Sequence, residues 1–372
     1  MTAVPDRVRT SVKAAVWSVL ALFLLVVLPT VAFVGAECFS LGVQPSARTL
    51  EIQQAAAGLT HYYRDEAATY LTLPEWYIVY STEEYGAFIG ALPPSRFPYF
   101  RAVRQYWRYY GRVCRVTKST YPFDPGVHLM LGVIGVSFTA ENVVRGGYES
   151  TLGRLSEWIG GYRTEEDAFA RRTAREYATF MRTVPWYEFP FRKRLAALWR
   201  ETPLWGSNPV RKWERRVALT AEYGTKAVYA WLIRAATGTV YAPEDQTIFV
   251  RVEDAADSIF ADTRIVNVRS TGSHAWIVRI PRYEAFTEIV VGLARRGVRF
   301  RDIAGNDEIL VTAIAPRDWR YTLPRGRLLF SERILTDRAL KRVAVWAPVE
   351  SLQMILAGLE DGGARVEHVH DY

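Results

Sequence analysis

AWIVRIPRYEAFTEIVVGLARRGVRFRDI, residues 275–303, is the stretch on which the fold turns. It opens with a run rich in Ile, Val and Trp that ends at Pro281. Phe286, Ile289, Val290 and Leu293 then fall at helical spacing, and Gly297 supplies a stop. VRFRDI alternates again and reads as a strand. The same order returns at 341–370, KRVAVWAPVESLQMILAGLEDGGARVEHVH, where Leu352, Ile355, Leu356 and Leu359 share one helical face and Gly362-Gly363 ends it. Pro281 and Pro348 hold equivalent places in the two halves. TIFVRV, RIVNVR, EILVTAIAP and RLLFSERI supply further strands. Such β-α-β pieces with strands between them predict a ferredoxin-like α+β sandwich with an extra hairpin over residues 243–372. That fold hosts many unrelated functions, so it argues for none. By analogy it suits a ligand, a protein partner or a homodimer.

Upstream, residues 37–242 read as a mostly helical, aromatic-rich domain. Gly and Pro divide it into LEIQQAAAGLTHYYRDEAATYL (50–71, ended by Pro74), FPYFRAVRQYWRYYGRVCRV (97–116), a helix from Gly126 to Gly160, TEEDAFARRTAREYATFMRTV (164–184) and a last helix from Asn208. Thr164 reads as the cap of the fourth, with acids in its first turn. The third contains Val127 to Ala140, fourteen residues without a charge. That is short for a membrane span and suits a buried core helix or a re-entrant segment, with Gly132 and Gly135 allowing close packing. The alternative is a second crossing, which returns the rest of the chain to the cytoplasm.

Residues 185–216 interleave Trp186, Tyr187, Phe189, Phe191, Trp199, Trp205 and Trp213 with Arg192, Lys193, Arg194, Arg200, Arg211, Lys212, Arg215 and Arg216. Aromatic rings of this kind settle at the headgroup level of a bilayer, and bases beside them attract anionic lipid. Trp186, Tyr187, Phe191, Arg192, Lys193, Arg194 and Trp199 are the expected membrane-surface residues. The competing reading is aromatic core with solvated arginines.

The N-terminus carries Arg7, Arg9 and Lys13 before an uncharged run from Ala14 to Ala36. About twenty apolar residues cross a bilayer as a helix, so residues 1–36 read as a basic cytoplasmic flank and a transmembrane anchor of the signal-anchor type. Small residues at Val34-Gly35-Ala36 offer a cleavage site, but the apolar run exceeds a signal peptide's h-region. The basic flank puts the N-terminus in the cytoplasm and the body on the extracytoplasmic, periplasmic face of a bacterial cell membrane.

The 372 residues carry a net charge of +8, and only six of the 47 basic side chains are lysines. Basic excess suits anionic partners. With the body outside the cytoplasm, membrane lipid is the expected partner and nucleic acid is not. Cys38 and Cys114 read as two separate thiols, with a disulfide as the alternative in an oxidising compartment.

Sites of chemistry are sparse. No GxSxG, HExxH, CxxC, phosphate-binding glycine loop or GxGxxG occurs, and no cofactor is expected. Glu75 lies in an aromatic run where burial raises a carboxyl. His128 and Glu141 bracket the apolar helix on different faces, and Arg145 can pair with Glu141. His368 and His370 share a strand face, a two-ligand start for a metal without a marked third. Glu75, His128 and Glu141 are the weak catalytic candidates. The leading expectation is a membrane-anchored extracytoplasmic binding or scaffold protein. The alternatives are a membrane-associated enzyme on an apolar substrate, and a two-span protein with a cytoplasmic sensor domain.

Overall fold

The computed structural model describes residues 27–44, 48–237 and 246–372. The expected basic flank, residues 14–26 of the expected anchor and the expected boundary at Ala242-Pro243 lie outside them. Within the described part the protein is α+β, with helices before residue 238 and two antiparallel sheets after it.

The helices are α1 (Val27–Glu37), α2 (Leu50–Ala56), α3 (Ala68–Leu71), α4 (Leu73–Ala91), α5 (Tyr99–Thr117), α6 (Pro125–Tyr148), α7 (Arg154–Gly160), α8 (Glu165–Met181), α9 (Phe191–Glu201) and α10 (Pro209–Thr237). A π-helical turn, Glu149–Gly153, joins α6 to α7, so one continuous helix runs from Pro125 to Gly160. The single helix expected over 50–71 is broken. Its chain turns at Gly58 with φ of 76°, a left-handed value that glycine adopts at no steric cost. Pro74, expected to end a helix, instead sits in the first turn of α4, where its missing N–H has no intrahelical partner to lose. Thr164 caps α8 in a reciprocal capping box with Asp167.

The α/β part contains β1 (Thr247–Glu253), β2 (Val266–Gly272), β3 (Ala275–Pro281), α11 (Glu284–Arg295), β4 (Arg299–Ile303), β5 (Glu308–Pro316), β6 (Arg327–Arg333), β7 (Leu340–Pro348), α12 (Leu352–Asp361) and β8 (Arg365–His370). All the strands and both helices read from the sequence are present. The expected ferredoxin-like sandwich is not the topology they make. Two four-stranded sheets form, ordered β2-β3-β1-β4 and β6-β7-β5-β8. The unit is a βββαβ repeated twice, in which each half carries two strands ahead of its β-α-β piece. Thr247 pairs with Pro281 and Glu308 with Pro348, so the two prolines are equivalent in register. Gly297 and Gly363, at φ of 83° and 82°, close α11 and α12.

Both sheets and both helices share one core, which buries the eight apolar positions expected on α11 and α12. The second sheet is covered on its other face as well. Leu310, Phe330 and Ala344 join the aromatic core of α4 and α5, which explains why β5 reads as an unbroken apolar run. Glu308 at the start of β5 ties the parts together. It accepts from Tyr70 Oη at 2.7 Å and Trp346 Nε1 at 2.6 Å, and from Tyr121.

Helix α1 packs on α5 through Phe33, whose ring lies 5.1 Å from Trp107 and 5.4 Å from Tyr110. Directly after α1, Cys38 is bonded to Cys114 of α5. The expectation of two separate thiols is therefore corrected: α1 lies parallel to α5 and brings the two α-carbons to 4.5 Å, inside disulfide range. Helix α6 crosses both at its glycines. A Cβ on Gly132 would meet Thr30 at 3.1 Å, and one on Gly135 would meet the Tyr106 ring at 2.4 Å. Tyr106 cannot retreat easily, since it is buried and its hydroxyl donates to the Leu131 carbonyl at 2.9 Å. Gly135→Ala is expected to lower stability by about 1–2 kcal/mol through overpacking, read as a lower unfolding midpoint. A midpoint equal to wild type would mean that α6 can slide on α5 without loss.

Candidate functional site

Helices α6–α7 and α10 run antiparallel over residues 137–160 and 211–229. Gly160 meets Arg211, Ser156 bonds Glu214, Glu149 pairs with Arg215, Glu141 pairs with Lys226, and Ser137 bonds Tyr229. Charge is sorted to the inner side of this pair. Arg211 bonds Asp167 at 2.7 Å, Lys212 bonds Glu165 at 2.8 Å, Arg215 bonds Glu149 at 2.7 Å and Arg216 bonds Glu166 at 2.5 Å. All four bases are buried. The expectation that they are solvated or lipid-facing is overturned. Their carboxylate partners come from α8 and the π-helical turn, elements distant in sequence.

The outer side is the reverse. Leu129, Met130, Val133, Val143, Val144, Leu155, Trp158 and Ile159 are exposed on α6–α7, and Val210, Val217, Val228, Trp231 and Leu232 on α10. Val144 is 73% and Trp158 83% exposed. The stretch Pro125–Gly160 is long and apolar enough to cross a membrane by length and composition.

Beneath this pair lies a cavity of about 80 Å³, walled by Tyr85, Phe138, Tyr177, Phe191 and Tyr223. Four of the six charged residues that line it, Glu141, Arg145, Glu222 and Lys226, form a quartet. Lys226 Nζ bonds Glu141 at 2.7 Å and Glu222 at 3.4 Å, and Glu222 bonds Arg145 at 3.4 Å. Arg145 therefore pairs with Glu222 rather than with Glu141, because its guanidinium turns inward over the Tyr85 ring, 4.1 Å from the centroid. The quartet balances two positive against two negative groups, and no histidine or cysteine lines the cavity.

The three catalytic candidates are not brought together. Glu141 is the only one of them in the cavity, and it is ion-paired. His128 lies beside the disulfide, with Nδ1 2.9 Å from Tyr110 Oη and its ring stacked on Phe123 at 4.5 Å. Glu75 lies where α4 meets the end of β8. By accessible surface it is only half-buried, yet protein packs closely round its carboxyl and burial pushes it up to about 7; Arg282 opposes the rise and Asp371 adds to it.

His368 and His370 face the same neighbourhood, as expected, but are held as packing groups. His368 Nδ1 lies 2.8 Å from Thr287 Oγ1, and its ring lies 3.5 Å from that of Trp76. His370 lies between Thr72 and Thr312, at 3.3 and 3.2 Å. Burial drives both below the usual imidazole range, His370 to about 3, so they are neutral. Asp371 is turned away to Arg282 Nε at 2.8 Å. Among the described residues the converging set of potential metal donors is a different one: Cys38, Cys114 and His128.

Of the expected membrane-surface residues, Arg192, Lys193 and Trp199 are exposed on α9. Phe191 is in the core, and Arg194 pairs with Glu176 at 2.6 Å. Trp186 lies against Tyr229 of α10, 5.2 Å between ring centroids, close to the exposed apolar side. The two faces of α10 are not apparent from its sequence, because Val210, Val217 and Val228 are interspersed with Arg211, Lys212, Arg215, Arg216 and Lys226. No protein-family model, curated protein or solved structure matches this chain.

Proposed function

We propose that the protein is a membrane-attached binding or scaffold protein on the extracytoplasmic side, and that the α6–α7/α10 pair rests along the bilayer surface. The observation that carries this reading is the inverted sorting of charge: bases and acids paired inside, and valine, leucine and tryptophan outside. Water rewards the opposite arrangement. An apolar face of this extent on a monomer marks a contact surface, and lipid is the contact consistent with tryptophans along it. The second observation is the Cys38–Cys114 disulfide, which suits an oxidising compartment.

A crossing by the long helix is the rival. Thirty-six residues of helix measure about 54 Å, well beyond the hydrocarbon thickness. A crossing centred on this stretch would also place Glu141, Arg145 and Glu149 within the hydrocarbon. Lying along the surface, the same helix needs only the one-sided apolar face it has. The enzyme reading loses support because Glu75, His128 and Glu141 are dispersed. The α/β part then presents β2 and β6, which pair on one side only among the described residues, as edges for a partner strand.

Nitroxides at Val144→Cys and Val228→Cys, in the full chain in bilayers, test the proposal. Both are expected to collide with lipid-dissolved oxygen more than with an aqueous nickel chelate, whereas one at Arg338→Cys shows the reverse. Nickel accessibility at Val144 equal to that at Arg338 would sink the membrane-surface role.

A further inference from the structure

We propose that Cys38, Cys114 and His128 form a zinc site when the disulfide is reduced. The donor atoms of the three side chains lie within 4.8 Å of one another, and all three residues are buried. A tetrahedral zinc ion holds thiolate at about 2.3 Å and imidazole at about 2.0–2.1 Å, which sets its donors roughly 3.5–3.8 Å apart. Only small side-chain rotations separate that spacing from the one present once the sulfur–sulfur bond is broken. Two thiolates and one imidazole are a donor set suited to zinc, with water in the fourth position.

The imidazole is already placed as a ligand needs it. Phe123 stacks on one face with 7° between the rings, and Tyr110 Oη lies 2.9 Å from Nδ1. With Nδ1–H donating to that hydroxyl, Nε2 presents its lone pair, the outer contact that commonly orients a metal-bound histidine. The three donors also come from three places: the end of α1, the last turns of α5 and the first turn of α6. The joint is thus held by a covalent bond when oxidised and by a metal when reduced.

The chemistry balances. A dithiol or phosphine reductant supplies two electrons, which with two protons convert the disulfide to two thiols. Zinc then binds both sulfurs as thiolates and releases two protons.

The test uses the full chain in detergent, reduced with a phosphine under nitrogen and titrated with Co²⁺ as an optical stand-in for Zn²⁺. One Co²⁺ per chain is expected, with a thiolate-to-cobalt charge-transfer band that Zn²⁺ abolishes. Cys38→Ser should lose the band, and His128→Gln should weaken Co²⁺ binding at least tenfold while both thiols still titrate. As a measurement independent of the variants, Zn²⁺ should raise the unfolding midpoint of the reduced wild type and leave the oxidised protein unchanged. Two titratable thiols with no cobalt band, an unaltered His128→Gln affinity, or no zinc effect on the reduced midpoint would each overturn the proposal.

Discussion

Glu166→Ala is expected to cost about 3–5 kcal/mol, enough to unfold much of the helical part at moderate temperature. Glu166 is fully buried and is the carboxylate that Arg216 pairs with. Arg216 is also fully buried, between the rings of Trp199 and Trp213, each 5.3 Å from its guanidinium. The carbonyls of Thr202 and Pro203 would still accept from it, at 3.0 and 2.7 Å, but they carry no formal charge. Removing the acid therefore strands a cation away from water. Lys212 loses one of its two acids as well. Glu165, which is 53% exposed, is the control, and its change to Ala should cost about 0–1 kcal/mol. Denaturant unfolding in detergent reads both. A Glu166→Ala protein within 1 kcal/mol of wild type, roughly the surface-pair range, would mean that water reaches Arg216.

The second large effect depends on pH. The Glu75 carboxyl titrates near 7 in the fold, above its ordinary value of 4.5. Below 4.5 both folded and unfolded chains are protonated there, and Glu75 is without effect. As pH rises from 4.5 to about 7 the unfolded chain gives up a proton that the fold retains, so stability falls. Above 7 the loss is complete, at roughly 3 kcal/mol. Glu75→Gln removes the titration and should gain on wild type steadily from pH 4.5 to pH 7, then hold a constant lead. Parallel stability curves for the two proteins would place the Glu75 carboxylate in water. Arg282 and Asp371 face it and stay in place in both proteins, so the difference between the curves isolates Glu75.

These two carboxylates show what the sequence makes legible. Glu75 could be read because its neighbours in the chain are aromatic, and a local cause left a local trace. Glu166 could not. It reads as an ordinary first-turn acid of a capped helix, and its burial comes from Arg216, fifty residues on. The α/β part behaves the same way. Its eight strands and two helices were readable because alternation and 3.6-residue spacing are written within each segment. Which strands pair is decided between segments, so the single sandwich expected from them resolved into two four-stranded sheets. The tally of bases in residues 185–216 misled for a related reason: it counts charges without their partners. Cys38 and Cys114 likewise give no sign in sequence that α1 and α5 run side by side.

The bond between those cysteines decides how force travels. A pull along α1 enters the body at α5 directly and bypasses residues 39–113, the whole chain between the two sulfurs. A cut in the exposed stretch just after Cys38 would open the backbone without freeing the body from α1. Mechanically, α1 and α5 are one strut, and the chain that links them in sequence is slack.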